Sequence, residues 1–135
     1  MNRSRIQGFS LIELLITLAI VAILATITVP SFSGLVDRSR RSDAISALLQ
    51  VQLAQERWHA NNFTYAQALA TLGFASPQSP HGYYRLRVNH ADDGGFRVTA
   101  QPVGVQRDDS CGVFAVDADG PDYSEGFAGR RCWRR

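Results

Sequence analysis

The sequence predicts an α+β chain. One long N-terminal helix, membrane-spanning in its first half, packs on an antiparallel sheet of three to four strands, and the chain ends in a disulfide-closed loop. Three observations carry that expectation. An almost wholly aliphatic run occupies Leu14 to Val29, and apolar residues then recur at helical spacing as far as Trp58. Short alternating runs fill most of the remainder, with Cys111 and Cys132 near its end. At 135 residues the chain has room for one modest domain beside such a helix. Fourteen basic residues, all of them Arg, against twelve acidic ones leave a net charge of +2, which carries no global nucleic-acid signature.

The N-terminal segment is justified by length and composition. No side chain from Leu14 to Val36 is charged, and Phe9 to Val29 matches the about twenty residues needed to cross a bilayer core. A cleaved secretory signal fits poorly, because the apolar region is too long and no A-x-A site closes it. A plain anchor leaves Glu13 unexplained, since an acid at mid-bilayer costs about 3 kcal/mol and intramembrane ionisable groups usually have a functional partner. Arg3 and Arg5 lie on the preceding polar stretch and stay solvated at the membrane face. A cut after Gly8 would instead create an α-amino cation on Phe9, at a depth that Glu13 of another copy can reach.

The stretch "GFSLIELL" resembles the type III signal of type IV prepilins: a short basic leader ending in Gly, then Phe, then Glu five residues into the mature chain. The resemblance implies cleavage between Gly8 and Phe9 by a membrane-embedded prepilin peptidase, N-methylation of Phe9, and Glu13 as the assembly carboxylate. It divides the chain into a leader (1–8), a hydrophobic transmembrane and assembly helix (9–32) and a periplasmic globular domain (33–135). Without Arg3 and Arg5, the helix from Phe9 is apolar all round and must be buried in lipid or among copies of itself. The positive-inside count nearly ties, because Arg38, Arg40 and Arg41 follow the segment. A C-terminus outside the cytoplasm therefore rests on the cysteines and on the resemblance.

Beyond the segment, Pro30 is expected to kink or interrupt the helix. Ala44, Leu48, Val51, Ala54 and Trp58 describe one amphipathic face, with Trp58 read as core, and Asp37 and Arg41 are ordered for an i,i+4 pair. Thr64 with Gln67 fits a capping box for a short helix anchored by Leu69 and Leu72 and closed by Gly73. In "YYRLRVN" Tyr84, Leu86 and Val88 share a face; in "FRVTAQP" Phe96, Val98 and Ala100 do so, with turn-forming "ADDGG" between the two runs. "CGVFAVD" places Phe114 and Val116 on one face. Two cysteines outside a C-x-x-C spacing suggest one structural disulfide formed in an oxidising compartment, worth about 3 kcal/mol by chain entropy. The region it encloses resembles the disulfide-bounded part of pilins, most like minor pilins of the PilE type.

Two clusters invite a binding role. Asp117, Asp119, Asp122 and Glu125 lie in one short loop and could offer calcium hard oxygens, but the offsets are not those of an EF-hand and a solvated acidic loop is the preferred reading. Arg130, Arg131, Arg134 and Arg135 around Trp133 could contact DNA, with the indole stacking on a base, although a solvated tail with Trp133 covering the core is preferred. His59, His81 and His90 are scattered without metal spacing, and no nucleophile motif is present, so neither an enzyme nor a resident cofactor is expected. The resemblance implies a structural subunit, of minor-pilin type, of a type IV pilus. Its expected partners are other pilin subunits, the prepilin peptidase and the inner-membrane assembly platform, and its path runs from the inner membrane to the cell surface. The alternatives are a pseudopilin of a type II secretion system and a tip pilin that binds DNA or a surface.

Overall fold

A computed structural model of the chain describes residues 9–91 and 93–134, with the side chains of residues 28–31 outside the description. Gly8 and Arg135 therefore lie outside the described residues, whereas helix α1 (Leu11–Asn62) runs on through Pro30 without the expected interruption. The chain forms two compact units that divide between Leu35 and Val36. The first is the N-terminal part of helix α1 (Leu11–Asn62), where the large apolar side chains from Phe9 to Ile27 are each 52–79 % exposed. α1 is a helix long and apolar enough to cross a membrane.

The second unit packs the remainder of α1 on a four-stranded antiparallel sheet of order β1-β2-β3-β4. Its strands are β1 (Tyr84–His90), β2 (Phe96–Pro102), β3 (Phe114–Asp117) and β4 (Gly120–Pro121). Period-two alternation turns Tyr84 and Leu86 inward from β1, Phe96, Val98 and Ala100 from β2, and Phe114 and Val116 from β3. The register places Leu86 opposite Ala100 and Val98 opposite Val116, so the apolar face is continuous across three strands. Ala44, Leu48 and Val51 of α1 cover it, joined by Ile45 and Ala47. Cys111 and Cys132 form a disulfide with a Cα separation of 5.8 Å. Gly94 supplies the positive φ (83°) in the loop from β1 to β2, where the Ala91 amide donates to the Gly95 carbonyl.

Three local expectations are corrected. The inward stripe of α1 continues from Val51 to Gln55, which is fully buried, and not to Ala54 and Trp58, which are part-exposed. The helix expected from Thr64 is only a 3-10 turn (Ala70–Leu72) without a side-chain cap, although Gly73 does close it at φ 87°. Gln55 accounts for both differences: its Nε2 donates to the Ala66 carbonyl (2.7 Å) and its Oε1 accepts from the Ala66 amide (2.9 Å). A helix begun at Thr64 would need that carbonyl for its own ladder. Finally, Arg41 turns away from Asp37 and grips Asp109 with two nitrogens, leaving Asp37 to Arg40 at 3.6 Å. A nearly buried, two-pronged partner outweighs a solvated one worth a few tenths of a kcal/mol.

Candidate functional site

At the head of α1 the Ser10 carbonyl accepts from the Glu13 amide (3.1 Å) and the Leu14 amide (3.2 Å), which places Glu13 in the first helical turn. A carboxylate there is favoured by the helix dipole. Phe9 is 79 % exposed just ahead of it, so the two groups expected to meet between copies stand at the same end of one apolar rod. Thr17 Oγ1 donates to the Glu13 carbonyl (2.7 Å) and Thr26 Oγ1 to the Ile23 carbonyl (2.7 Å), so these hydroxyls are satisfied within the helix. The large apolar side chains from Leu11 to Ile27 are each more than half exposed, and such a surface requires lipid or protein cover.

The acidic loop is not a gathered ligand set. Asp117 Oδ1 accepts from the amides of Asp119 (2.9 Å) and Gly120 (3.2 Å), closing the turn between β3 and β4. Asp122 Oδ1 accepts from the Ser124 amide (2.9 Å), and its Oδ2 lies 3.0 Å from Arg97 Nε as an ionic contact without hydrogen-bond alignment. Burial works to raise the Asp122 carboxyl, but Ser124 and the Arg97 guanidinium outweigh it and hold its pKa below the ordinary carboxylate value. Asp119 and Glu125 are exposed, and among the described residues no three or more metal-ligating side chains come together.

The C-terminal cluster separates into parts. Trp133 is half-buried, with its ring edge against Phe114 and Tyr123 and its Nε1 donating to the Ala128 carbonyl (3.2 Å). The indole is thus committed to covering the core. Arg130 lies over the Tyr123 ring at 5.0 Å, while Arg131 and Arg134 are exposed. A second basic surface, which no sequence cluster announced, lies on the outer face of the sheet. Arg85 and Arg87 project there from β1, opposite Gln101 and Thr99, and neither has an acidic partner among the described residues. Asn89 opposite Arg97 extends the same polar face. The signal was available in the alternation of "YYRLRVN", since residues between the core positions must face out.

Two further polar clusters tie loops to α1. Asp43, nearly buried, accepts from Ser79 Oγ, from the His81 amide (3.1 Å) and from His81 Nδ1 (3.0 Å). Asp109, at 3 % exposure, holds Arg41 at 19 %. The hydrogen bonds that Arg41 donates to Asp109 raise its pKa further. Burial pushes the Tyr84 hydroxyl up to about 12. The Ser79 hydroxyl is buried and is used twice, donating to Asp43 and accepting from the Tyr84 amide (3.0 Å). The chemistry of both clusters is that of attachment.

Residues 3–29 match the family described as the prokaryotic N-terminal methylation motif, and residues 30–115 match the one described as type IV minor pilin ComP, DNA uptake sequence receptor. The type IV major pilin protein PilA of Myxococcus xanthus is 34 % identical over 88 residues, covering 65 % of this chain and 40 % of that one. The type II secretion system core protein G of Klebsiella michiganensis is 28 % identical over 95 residues, covering 63 % and 67 %. The solved structure of a type IV pilin from Shewanella oneidensis superposes with a TM-score of 0.54 at 26 % identity, covering 73 % of this chain and 99 % of that one. The chain spans about half the length of the curated pilins that it matches.

Proposed function

This chain belongs to the type IV minor pilin family, and we propose from that premise that it is a filament subunit matured by cleavage between Gly8 and Phe9, with methylation of the new Phe9 amine. Residues 9–32 hold it in the inner membrane with the globular domain in the periplasm. An assembly platform then moves it into a pilus, where Glu13 meets the Phe9 amine of a neighbouring copy. The single observation that supports this reading is the exposed apolar surface from Phe9 to Ile27, headed by one carboxylate in the first turn. A bundle of copies replaces lipid around that rod, and a desolvated amine–carboxylate pair fixes register more than it adds stability. Mass spectrometry of sheared surface filaments tests it. The expected species begins at a methylated Phe9, and Glu13→Ala inserts in the membrane but is depleted from filaments. A chain still carrying its first eight residues, or wild-type levels of E13A in filaments, overturns the reading.

A pseudopilin role stands as the alternative, because the match to core protein G is also substantial. Recovery of the chain only with a secretion system, and never in surface pili, would select it. A DNA-binding role has its own support. The matched minor pilin family is described as a DNA uptake sequence receptor, and its match ends at residue 115, which includes Arg85 and Arg87 but not the Arg130–Arg134 tail. Two guanidinium groups on one sheet face, without an acidic partner among the described residues, can follow a phosphate backbone, and repetition along a filament would multiply a weak contact. Gel shifts with duplex DNA are expected to weaken more for R85A/R87A than for R130A/R131A/R134A. The opposite order would place the contact on the tail.

A further inference from the structure

Trp58 leaves the inward stripe of α1 because Gln55 occupies the last core position, and its indole lines an open cleft of about 400 Å³ between the end of the helix and the 3-10 turn. Ala54, Leu72 and the indole give the cleft apolar surface, while Arg57, Asn61, Asn62 and Thr71 give it polar surface. The two amides are fixed: Asn61 Nδ2 donates to the Arg57 carbonyl (2.8 Å) and Asn62 Nδ2 to the Trp58 carbonyl (2.9 Å). Their Oδ1 atoms, the Trp58 N–H and the Arg57 guanidinium have no partner among the described residues. Donors and acceptors thus stand open to solvent around a part-exposed aromatic side chain, near the C-terminal end of α1. The next residue, Phe63, adopts a positive φ (57°) and is 85 % exposed, so an aromatic ring is held in solvent at a backbone position that ordinarily takes Gly or Asn.

We infer that this cleft binds a neutral, hexose-containing glycan, with Trp58 as the stacking surface for one sugar ring. The C–H face of a pyranose is apolar and its rim is hydroxyl, which matches an indole bordered by planar amides and a guanidinium. Each sugar hydroxyl can donate to an Asn Oδ1 and accept from Arg57 or the indole N–H, so neither side is left unsatisfied on desolvation. A nucleic acid fits less well: among the described residues Arg57 is the one cation lining the cleft and Glu56 precedes it, so little phosphate charge would be neutralised. An apolar peptide would strand the amide oxygens. The inference is independent of the filament reading, since it requires only the folded second unit.

The test uses the full chain in a detergent without a sugar headgroup. It is applied to a printed array of neutral and acidic glycans, and then titrated with free lactose at millimolar concentration by saturation-transfer NMR. The expected result is binding confined to neutral hexose-bearing glycans. Trp58→Ala should weaken it at least tenfold, Trp58→Phe should retain most of it, and Asn61→Ala and Arg57→Ala should each reduce it several-fold. Circular dichroism of each variant checks that the fold survives. The proposal is overturned if the array shows no neutral binder, if acidic glycans or a single-stranded thymidine oligomer bind in preference, or if Trp58→Ala binds like the wild type while folded.

Discussion

Removing Asp109 should cost more than any single contact to solvent could explain, because it strips Arg41 of its partner at a site where Asp109 is 3 % and Arg41 19 % exposed. Breaking a buried ion pair from one side costs about 3–5 kcal/mol, whereas replacing both members by apolar groups is often neutral. The residual access of Arg41 lets water reach part of the guanidinium, which puts Asp109→Ala near the lower limit, about 3 kcal/mol. Arg41→Met leaves the less accessible carboxylate alone and should cost as much or more. The double variant R41M/D109L should lose no more than about 1 kcal/mol, so the coupling in a double-mutant cycle is large and favourable. The assay is urea unfolding of the full chain in detergent at neutral pH, followed by near-ultraviolet circular dichroism. Additive single losses, or a loss below about 0.5 kcal/mol for Asp109→Ala, would refute the reasoning.

Gln55→Leu should destabilise the domain by about 2–4 kcal/mol, since it leaves the buried Ala66 amide and carbonyl unsatisfied; an unchanged urea midpoint would show that water takes over both groups. Cys111→Ser with Cys132→Ser should cost about 3 kcal/mol by loop closure over a sequence separation of 21, read from the same unfolding curves. Tyr84 has a folded pKa of about 12 against an ordinary 10, so its contribution is intact below pH 10. It should fall as pH rises from 10 to 12, by at most about 3 kcal/mol. Tyr84→Phe, whose hydroxyl has no aligned partner, should abolish that slope. Asp122, held below its ordinary pKa, stabilises above about pH 4 and loses that contribution as pH falls further; Asp122→Asn should flatten the acid limb.

The parts of the fold that follow from short-range periodicity were legible in the sequence. Tyr84, Leu86, Phe96, Val98, Phe114 and Val116 all face the core as alternation requires, and the two cysteines join as their spacing suggested. Elements decided by a partner distant in sequence were not. Arg41 prefers Asp109, 68 residues away, and nothing near Arg41 signals that choice. Gln55 is a different case, because Ala44, Leu48, Val51 and Gln55 are spaced as regularly as a path ending at Ala54 and Trp58. Hydrophobicity favoured the tryptophan, but a backbone needing both a donor and an acceptor favoured the amide. The same substitution silenced the Thr64 capping box, since local propensity yields when a tertiary contact takes the backbone groups that it needs. The basic sheet face was present in the pattern and was obscured by the denser run of arginines at the C-terminus.

Arg41, Asp43 and Gln55 each fasten a different surface segment to one α-helix, at Asp109, at Ser79 and His81, and at Ala66. That helix is therefore a common mast: each of the three segments has a polar fastening on it, whatever bonds it also makes elsewhere. A change between two fastening points can then be absorbed locally, so one stem can carry different outward surfaces as long as its tethers are kept.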